Sequence, residues 1–319
     1  MPVSIPFDAL NDITMLNKLV GWLRTEGRLE GRGRWARWIG RGWARVHYAV
    51  RVEPTWLELN HHDVPIADLP SRFAGLRIVQ LSDFHCSRYV TPAYLQEAVR
   101  LAQEQNGDVI ALTGDFIHKG FKYVQRVARL LGRLSAPDGV YAVLGNHDFS
   151  VRNALGMRRY RTLHRAVSDA LSAEGIRVLH NERVVLARSE ARLHLAGVDD
   201  LWSRACDVER ALAGLSAAVP RIVLAHNPCT IEHLDGLRCD LMLSGHTHGG
   251  QINLPGLGRV TLSANGRRFA AGMYHYRKTH LYVNKGVGFG FQVRYGVRPE
   301  VAVLTLRPIP GPERGALAP

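Results

Sequence analysis

The sequence is poor in cysteine. Its four (Cys86, Cys206, Cys229 and Cys239) are scattered and form no C-x-x-C pair. That argues against a disulfide framework and a thiolate metal cluster, and suits free thiols in a reducing compartment. Long apolar runs are also missing: no stretch approaches the ~18 consecutive apolar residues of a spanning helix. The first residues carry Asp8 and Asp12 and lack the basic-then-apolar pattern of a secretion signal. The expected location is therefore the cytoplasm, with peripheral contact at the inner face of the membrane. Neither a G-x-S-x-G elbow nor a Walker loop occurs, which removes the obvious serine-hydrolase and P-loop readings. Acidic residues are few: 28 stand against 41 Lys and Arg, a formal charge of +13. Such an excess points to anionic partners such as phosphates, acidic lipid or nucleic acid, and says nothing about fold.

What is present is enough for a full core, with 46% hydrophobic and 22% charged residues over 319 positions. The charge is uneven. Nine basic residues and two acids lie between Lys18 and Arg51, and five of the six tryptophans fall before residue 60. This shift marks residues 1–70 as a basic, Trp-rich extension, followed by an α/β domain over 71–310 and a tail over 311–319. On a helical wheel Arg34, Arg37, Arg41 and Arg45 share one stripe, and Trp35, Trp38, Ile39, Trp43 and Val46 another. Gly40 and Gly42 weaken an isolated helix by about 1 kcal/mol each, so the helix is expected to form on docking. A membrane surface is the first reading of this segment, docking on the protein's own domain the second, and nucleic acid the third.

From Leu76 onward, short apolar runs alternate with amphipathic segments. Leu76–Leu81, Val109–Thr113, Val140–Leu144, Ile222–Ala225 and Leu241–Leu243 read as buried strands. Helices are predicted over Pro92–Gln105, Phe121–Leu134, Tyr160–Glu174 and Val208–Leu215, the first with Thr91 as N-cap. Short antiparallel strands are expected from Val178 to Gly197 and from Leu281 to Leu306.

Polar residues gather where the predicted strands end: Ser82-Asp83-Phe84-His85, Thr113-Gly114-Asp115, Gly145-Asn146-His147-Asp148, Ala225-His226-Asn227 and Ser244-Gly245-His246-Thr247-His248. Carboxyl ends of strands are where crevices form in open α/β sheets. In extended chain, residues i and i+2 share a side, so Asp83 with His85 and His246 with His248 are expected to act as pairs. Cys86, one position further, is expected to face away and pack. Seven nitrogen and oxygen donors (Asp83, His85, Asp115, Asn146, His226, His246 and His248) exceed what one tetrahedral site needs. They suit two divalent ions sharing a carboxylate, the arrangement that clamps a displacement at phosphorus.

In that order along the chain, D-x-H, G-D, G-N-H-D, a lone His and G-H-x-H resemble the calcineurin-like metallophosphoesterases. The run Gly245–Gln251, with Leu281–Gly286 downstream, is similar to their bacterial YkuE-like phosphodiesterase branch. The resemblance implies a two-sheet β-sandwich flanked by helices. It implies one metal on Asp83, His85, Asp115 and His248 and a second on Asp115, Asn146, His226 and His246, with His147 protonating the leaving oxygen. Mn²⁺ is the first ion to try, with Fe or Zn²⁺ as alternatives. Phosphoprotein phosphatases of this superfamily read G-D-x-x-D-R-G, where this chain has His118 and Lys119 at the second Asp and the Arg. That difference disfavours a phosphoprotein substrate and leaves Asp148 as the expected steering group for His147. His118, Lys119, Gln251 and Asn284 are the expected substrate contacts, and Gly286–Gly290 is expected to be a loop near the site.

The function expected is hydrolysis of a phosphomonoester, phosphodiester or pyrophosphate of a small or lipid-linked substrate, such as UDP-diacylglucosamine. A nuclease or nucleotide phosphodiesterase stays open as the nearest alternative. A basic adaptor with a structural metal site is the alternative from another class, and an intact His147 speaks against it.

Overall fold

A computed structural model of the chain describes residues 40–152 and 155–309. By compactness the chain divides after His47. In the first unit, residues 40–47 are helical. Arg34, Trp35, Arg37, Trp38 and Ile39, and the tail, lie outside the described residues.

The second unit is built from two sheets whose central strands are buried on both faces. Strands β1 (Glu58–Ile66), β2 (Arg77–Leu81), β3 (Val109–Leu112), β4 (Val140–Ala142) and β5 (Arg177–Val178) belong to one sheet. Strands β6 (Glu182–Arg188), β7 (Ala191–Val198), β8 (Arg221–Ala225), β9 (Leu241–Ser244), β10 (Gly272–Tyr276) and β11 (Thr279–Val283) form the other. The last strand, β12 (Glu300–Pro308), returns to the first sheet, giving orders β1-β12-β2-β3-β4-β5 and β10-β11-β9-β8-β7-β6. Pairing is parallel except between β12 and β2, β10 and β11, and β6 and β7.

Three cores follow. Ile78, Val109 and Leu304 of one sheet meet Leu195, Ile222 and Leu243 of the other. On its outer face the first sheet packs Val79, Leu81, Ile110 and Leu112 against the helices Pro92–Gln103, Val124–Leu131 and Leu163–Ala173. The second sheet covers Val223, Met242 and Val283 with Val208–Leu212 and the 3₁₀ segment Pro228–Leu234. The result is the expected two-sheet sandwich flanked by helices. Thr91 caps its helix as expected, accepting from the Tyr94 amide at 3.3 Å.

Two expectations need correction. The region from Leu281 to Leu306 is not one antiparallel set: β11 lies in the second sheet beside β9 and β10, whereas β12 crosses to the first. The stretch Glu58–Ile66, read from sequence as extension, is β1, which runs parallel to β12 along nine residue pairs. Val178–Gly197 does contain an antiparallel pair, β6 with β7.

Candidate metal centre

The carboxyl ends of β2, β3, β8 and β9 point the same way, so their following residues converge across both sheets. Ladder-like bonds continue past the strands: the Asp83 amide donates to Gly114 O and that of His85 to Asp115 O, both at 2.9 Å. The two sheets are tied beneath the site. Gln80 of β2, fully buried, donates through Nε2 to Ser244 O at 3.0 Å, and His226 Nδ1 donates to Thr113 O at 2.7 Å.

The donors form two adjoining groups. In one, His85 Nε2 and His248 Nε2 are 2.9 Å apart, and Asp83 Oδ1 lies 3.3 Å from the latter. In the other, Asn146 Oδ1 lies 3.2 Å from His226 Nε2 and 3.0 Å from His246 Nδ1. Asp115 Oδ2 faces both groups, 3.5 Å from His85 Nε2 and 3.3 Å from His226 Nε2. The pairing of i with i+2 arises differently from the expectation. Asp83, His85, His246 and His248 all have positive φ, from 43° to 72°, so extended alternation does not govern them. As a result His246 and His248 point into different groups. Strained backbone concentrated at candidate ligands is typical of a functional site.

The chemistry of these donors fits divalent cations. His226 gives its Nδ1 proton to a carbonyl, which leaves Nε2 as the inward-facing ring nitrogen. The Asn146 amide donates to Val151 O at 2.7 Å, which turns its carbonyl oxygen inward too. Ring nitrogens and carbonyl or carboxylate oxygens therefore converge in each group, a donor set that a shared cation would satisfy. Burial alone would make His226 less basic, but Asp115, Asp83 and Asp200 lift it to about 10, so a cation bound there would take the place of its Nε2 proton. Burial pushes Asp83 up to about 6, with Asp115 adding to the effect. Burial opposes ionisation of Asp115, but His226, His147 and His85 hold it well below the usual carboxylate range. Burial lowers His246 to about 3, helped by His226, and keeps His85 and His248 neutral as well. Three neutral imidazoles, a fourth that a cation would deprotonate, and the carboxylates suit Zn²⁺, Fe or Mn²⁺.

Close approach of the loops requires glycine. A Cβ at Gly145 would collide with Asp115 Oδ1, and one at Gly288 would strike Phe84 O. The latter lies in the Gly286–Gly290 loop, which does run beside the site, its Val287 and Gly288 amides donating to Ser82 O and Asp83 O at 2.9 and 2.7 Å.

His147 stands half-buried at the rim. Its amide donates to Asp115 Oδ1 at 2.9 Å and its Nδ1 to His118 O at 2.8 Å, so Nε2 is the free ring nitrogen. Its steering partner is thus the His118 main-chain carbonyl. Asp148 acts instead on the backbone, where its carboxylate accepts from the amides of Gly145, Asp115, Phe116 and Ile117 at 2.9–3.4 Å. The His118 ring also reaches the rim, its centroid 5.3 Å from that of His147, and Lys119 beside it is exposed. Burial, then His147, lowers the His118 pKa to about 4. Gln251 and Asn284 are engaged within the fold. Gln251 commits both amide hydrogens to Phe291 O and Val293 O and its carbonyl to the Gly290 amide. Asn284 is fully buried and accepts from the Gly286 amide. Cys86 packs in the core as expected.

Three neighbours escaped the sequence reading. Trp202 meets His246 edge-on with centroids 4.4 Å apart; the one tryptophan outside the N-terminal cluster was a usable signal. Asp200, buried after β7, accepts from the Ser203 amide at 2.6 Å, and burial pushes its pKa up to about 7. Arg294, fully buried, donates to the carbonyls of Lys285, Gly286, Gly288 and Val297 and comes 3.5 Å from His248 Nδ1. No spacing in the sequence marks it.

Comparison with known proteins accords with this geometry. The chain is 34% identical over 264 residues to the uncharacterized metallophosphoesterase YkuE of Bacillus subtilis, covering 82% of this chain and 89% of that protein. It is 34% identical over 266 residues to the phosphodiesterase YaeI of Escherichia coli, covering 83% and 93%. The UDP-2,3-diacylglucosamine pyrophosphatase LpxG of Chlamydia trachomatis is 28% identical over 306 residues, covering 78% and 92%. Residues 76–250 match the calcineurin-like phosphoesterase family model. With more than half its length inside that match, and its candidate ligands at the ends of two packed sheets, the chain belongs to the calcineurin-like metallophosphoesterases and is a hydrolase.

Proposed function

We propose that the protein hydrolyses a phosphodiester or pyrophosphate bond with two divalent metal ions, acting on a lipid-linked or other membrane-associated substrate. The observation that carries the reading is the pair of adjoining donor groups sharing Asp115 Oδ2. Asp83, His85, Asp115 and His248 would hold one ion, and Asp115, Asn146, His226 and His246 the other. Bound there, two cations supply Lewis acidity toward the phosphoryl oxygens and lower the pKa of water.

The protein's own residues do the rest. His147 gives its Nδ1 proton to His118 O, which aims Nε2 at the substrate; protonated there, it delivers a proton to the leaving oxygen. The Asp148 cradle fixes the loop that carries Asp115. The lipid-linked substrate is supported by the LpxG relative's name and by the basic, Trp-rich N-terminal segment. Among the described residues no helix is long and apolar enough to cross a membrane.

The test is Asp115→Asn. Losing the shared carboxylate should remove at least one metal equivalent and abolish turnover of bis(p-nitrophenyl) phosphate. Two equivalents by mass spectrometry with full activity would overturn the assignment. Comparing p-nitrophenyl phosphate, single-stranded DNA and UDP-2,3-diacylglucosamine then separates monoesterase, nuclease and lipid pyrophosphatase.

A further inference from the structure

Beside His147 lies a cavity of about 350 Å³, lined by Lys119, Arg152, Arg158, Arg159 and Tyr160 among others and by none of the seven candidate metal ligands. Among the described residues no Asp or Glu lines it. Elsewhere cations are commonly matched: Arg100, Arg188, Arg238 and Lys285 each pair with a carboxylate. Among the described residues, none of the four cations at this cavity does. They are held instead by groups that leave their charge uncompensated. The Arg158 guanidinium lies 5.1 Å from the Phe149 ring centroid and donates to Ser203 O at 2.7 Å, while that of Arg159 lies 5.5 Å from the Tyr160 centroid. Arg152 reaches toward His118 O at 3.4 Å, the same carbonyl that orients His147. The cations therefore begin where the acid ends.

We infer that this cavity is the subsite for a second phosphate on the leaving-group side, so that the substrate class is a diphosphate. Guanidinium forks match phosphate oxygens, and three arginines line the cavity. The size, near the low end of the ~300–1,000 Å³ usual for ligand pockets, leaves room for a phosphate and part of the group it carries. The inference rests on the phosphohydrolase reading. Water adds to the scissile phosphorus, the bond from that phosphorus to the bridging oxygen breaks, and two phosphomonoesters result. The bridging oxygen leaves on the second phosphate, with its charge met by the guanidinium groups and by the His147 proton.

Full-length Arg152→Gln and Arg158→Gln proteins, loaded with Mn²⁺, decide it. ADP-ribose and bis(p-nitrophenyl) phosphate serve as diphosphate and single-phosphate substrates. The ratio of their kcat/KM values should fall about 10- to 100-fold in each variant, the range of a lost hydrogen bond to a charged group. Arg158→Lys should recover part of it. Calorimetric titration of the metal-free proteins should show pyrophosphate binding weakened in the variants more than orthophosphate binding. An unmoved ratio in both variants, or equal losses on both substrates, overturns the subsite while leaving the phosphohydrolase reading intact. Wild-type protein that turns over neither substrate overturns both.

Discussion

His147 is held twice, by its amide on Asp115 and by its ring on His118 O, and the two anchors separate two functions. Replacing the ring leaves the amide bond in place, so His147→Ala should retain both metals. It should lose roughly 10²- to 10⁴-fold in rate, the usual contribution of general acid catalysis. The loss should shrink for p-nitrophenyl esters, whose leaving group needs little protonation; equal losses on alkyl esters would mean that the ring only positions substrate. Asp148 behaves oppositely. Its carboxylate satisfies four buried amides, one of them belonging to Asp115. In Asp148→Ala those donors lose their acceptor, each worth ~1–3 kcal/mol. A fall of at least about 3 kcal/mol in urea unfolding, together with weaker metal binding by titration, is the expected outcome. The candidate donors and their order were legible in the sequence, because metal donors must be written in a small alphabet. What orients them was not. A main-chain carbonyl at His118, the buried amide of Gln80 and the guanidinium of Arg294 act through contacts that only the folded chain creates.

Among the elements, the strands found correctly are those buried on both faces, such as β3 and β8, where nearly every residue is apolar. Two edge strands escaped, whereas β6, at the other margin of the second sheet, was expected. β1 lies at one margin with a mixed burial pattern and reads as polar extension, and β10 lies at the margin of the other sheet. The joining of 281–306 into one set failed for a different reason: the chain leaves β11, passes along the site through Gly286–Gly290, and enters the opposite sheet. Loop geometry yields its own prediction. Gly145→Ala would drive a methyl group into Asp115 Oδ1 and its backbone nitrogen, so the strain falls on the loop that carries this ligand candidate. Circular dichroism should show an unchanged fold while metal stoichiometry falls.

At the scale of the molecule, removing residues 1–47, the unit that ends at His47, tests the membrane reading. The truncated protein should hydrolyse bis(p-nitrophenyl) phosphate as before but no longer float with anionic vesicles. Each Arg near such a surface contributes about 1 kcal/mol, so salt should weaken binding by the full chain. Equal flotation of both proteins would point to a different surface, and failure of both to float would favour docking on the second unit. Stability should also depend on pH. Asp200 titrates near 3.8 when unfolded, whereas burial raises it to about 7 in the fold. The folded state therefore binds a proton that the unfolded chain releases, and stability falls as pH rises across that window. Metal-free Asp200→Asn should show a flatter fall of thermal midpoint between pH 4 and 8 than the parent.

The cross-ties beneath the site have a mechanical consequence. Asp83, Asp115 and Asn146 ride on one sheet and His226, His246 and His248 on the other, with Gln80 and His226 as rungs between them. The centre thus works as a caliper whose jaws are the two sheets, and metal affinity is a gauge of how they are spaced. Leu224 sits deep in the layer between them, fully buried and touching no ligand chemistry. Leu224→Ala, a change that removes about 2–5 kcal/mol in a core, should let the jaws shift. Metal should then loosen in titrations under conditions where the protein is still folded.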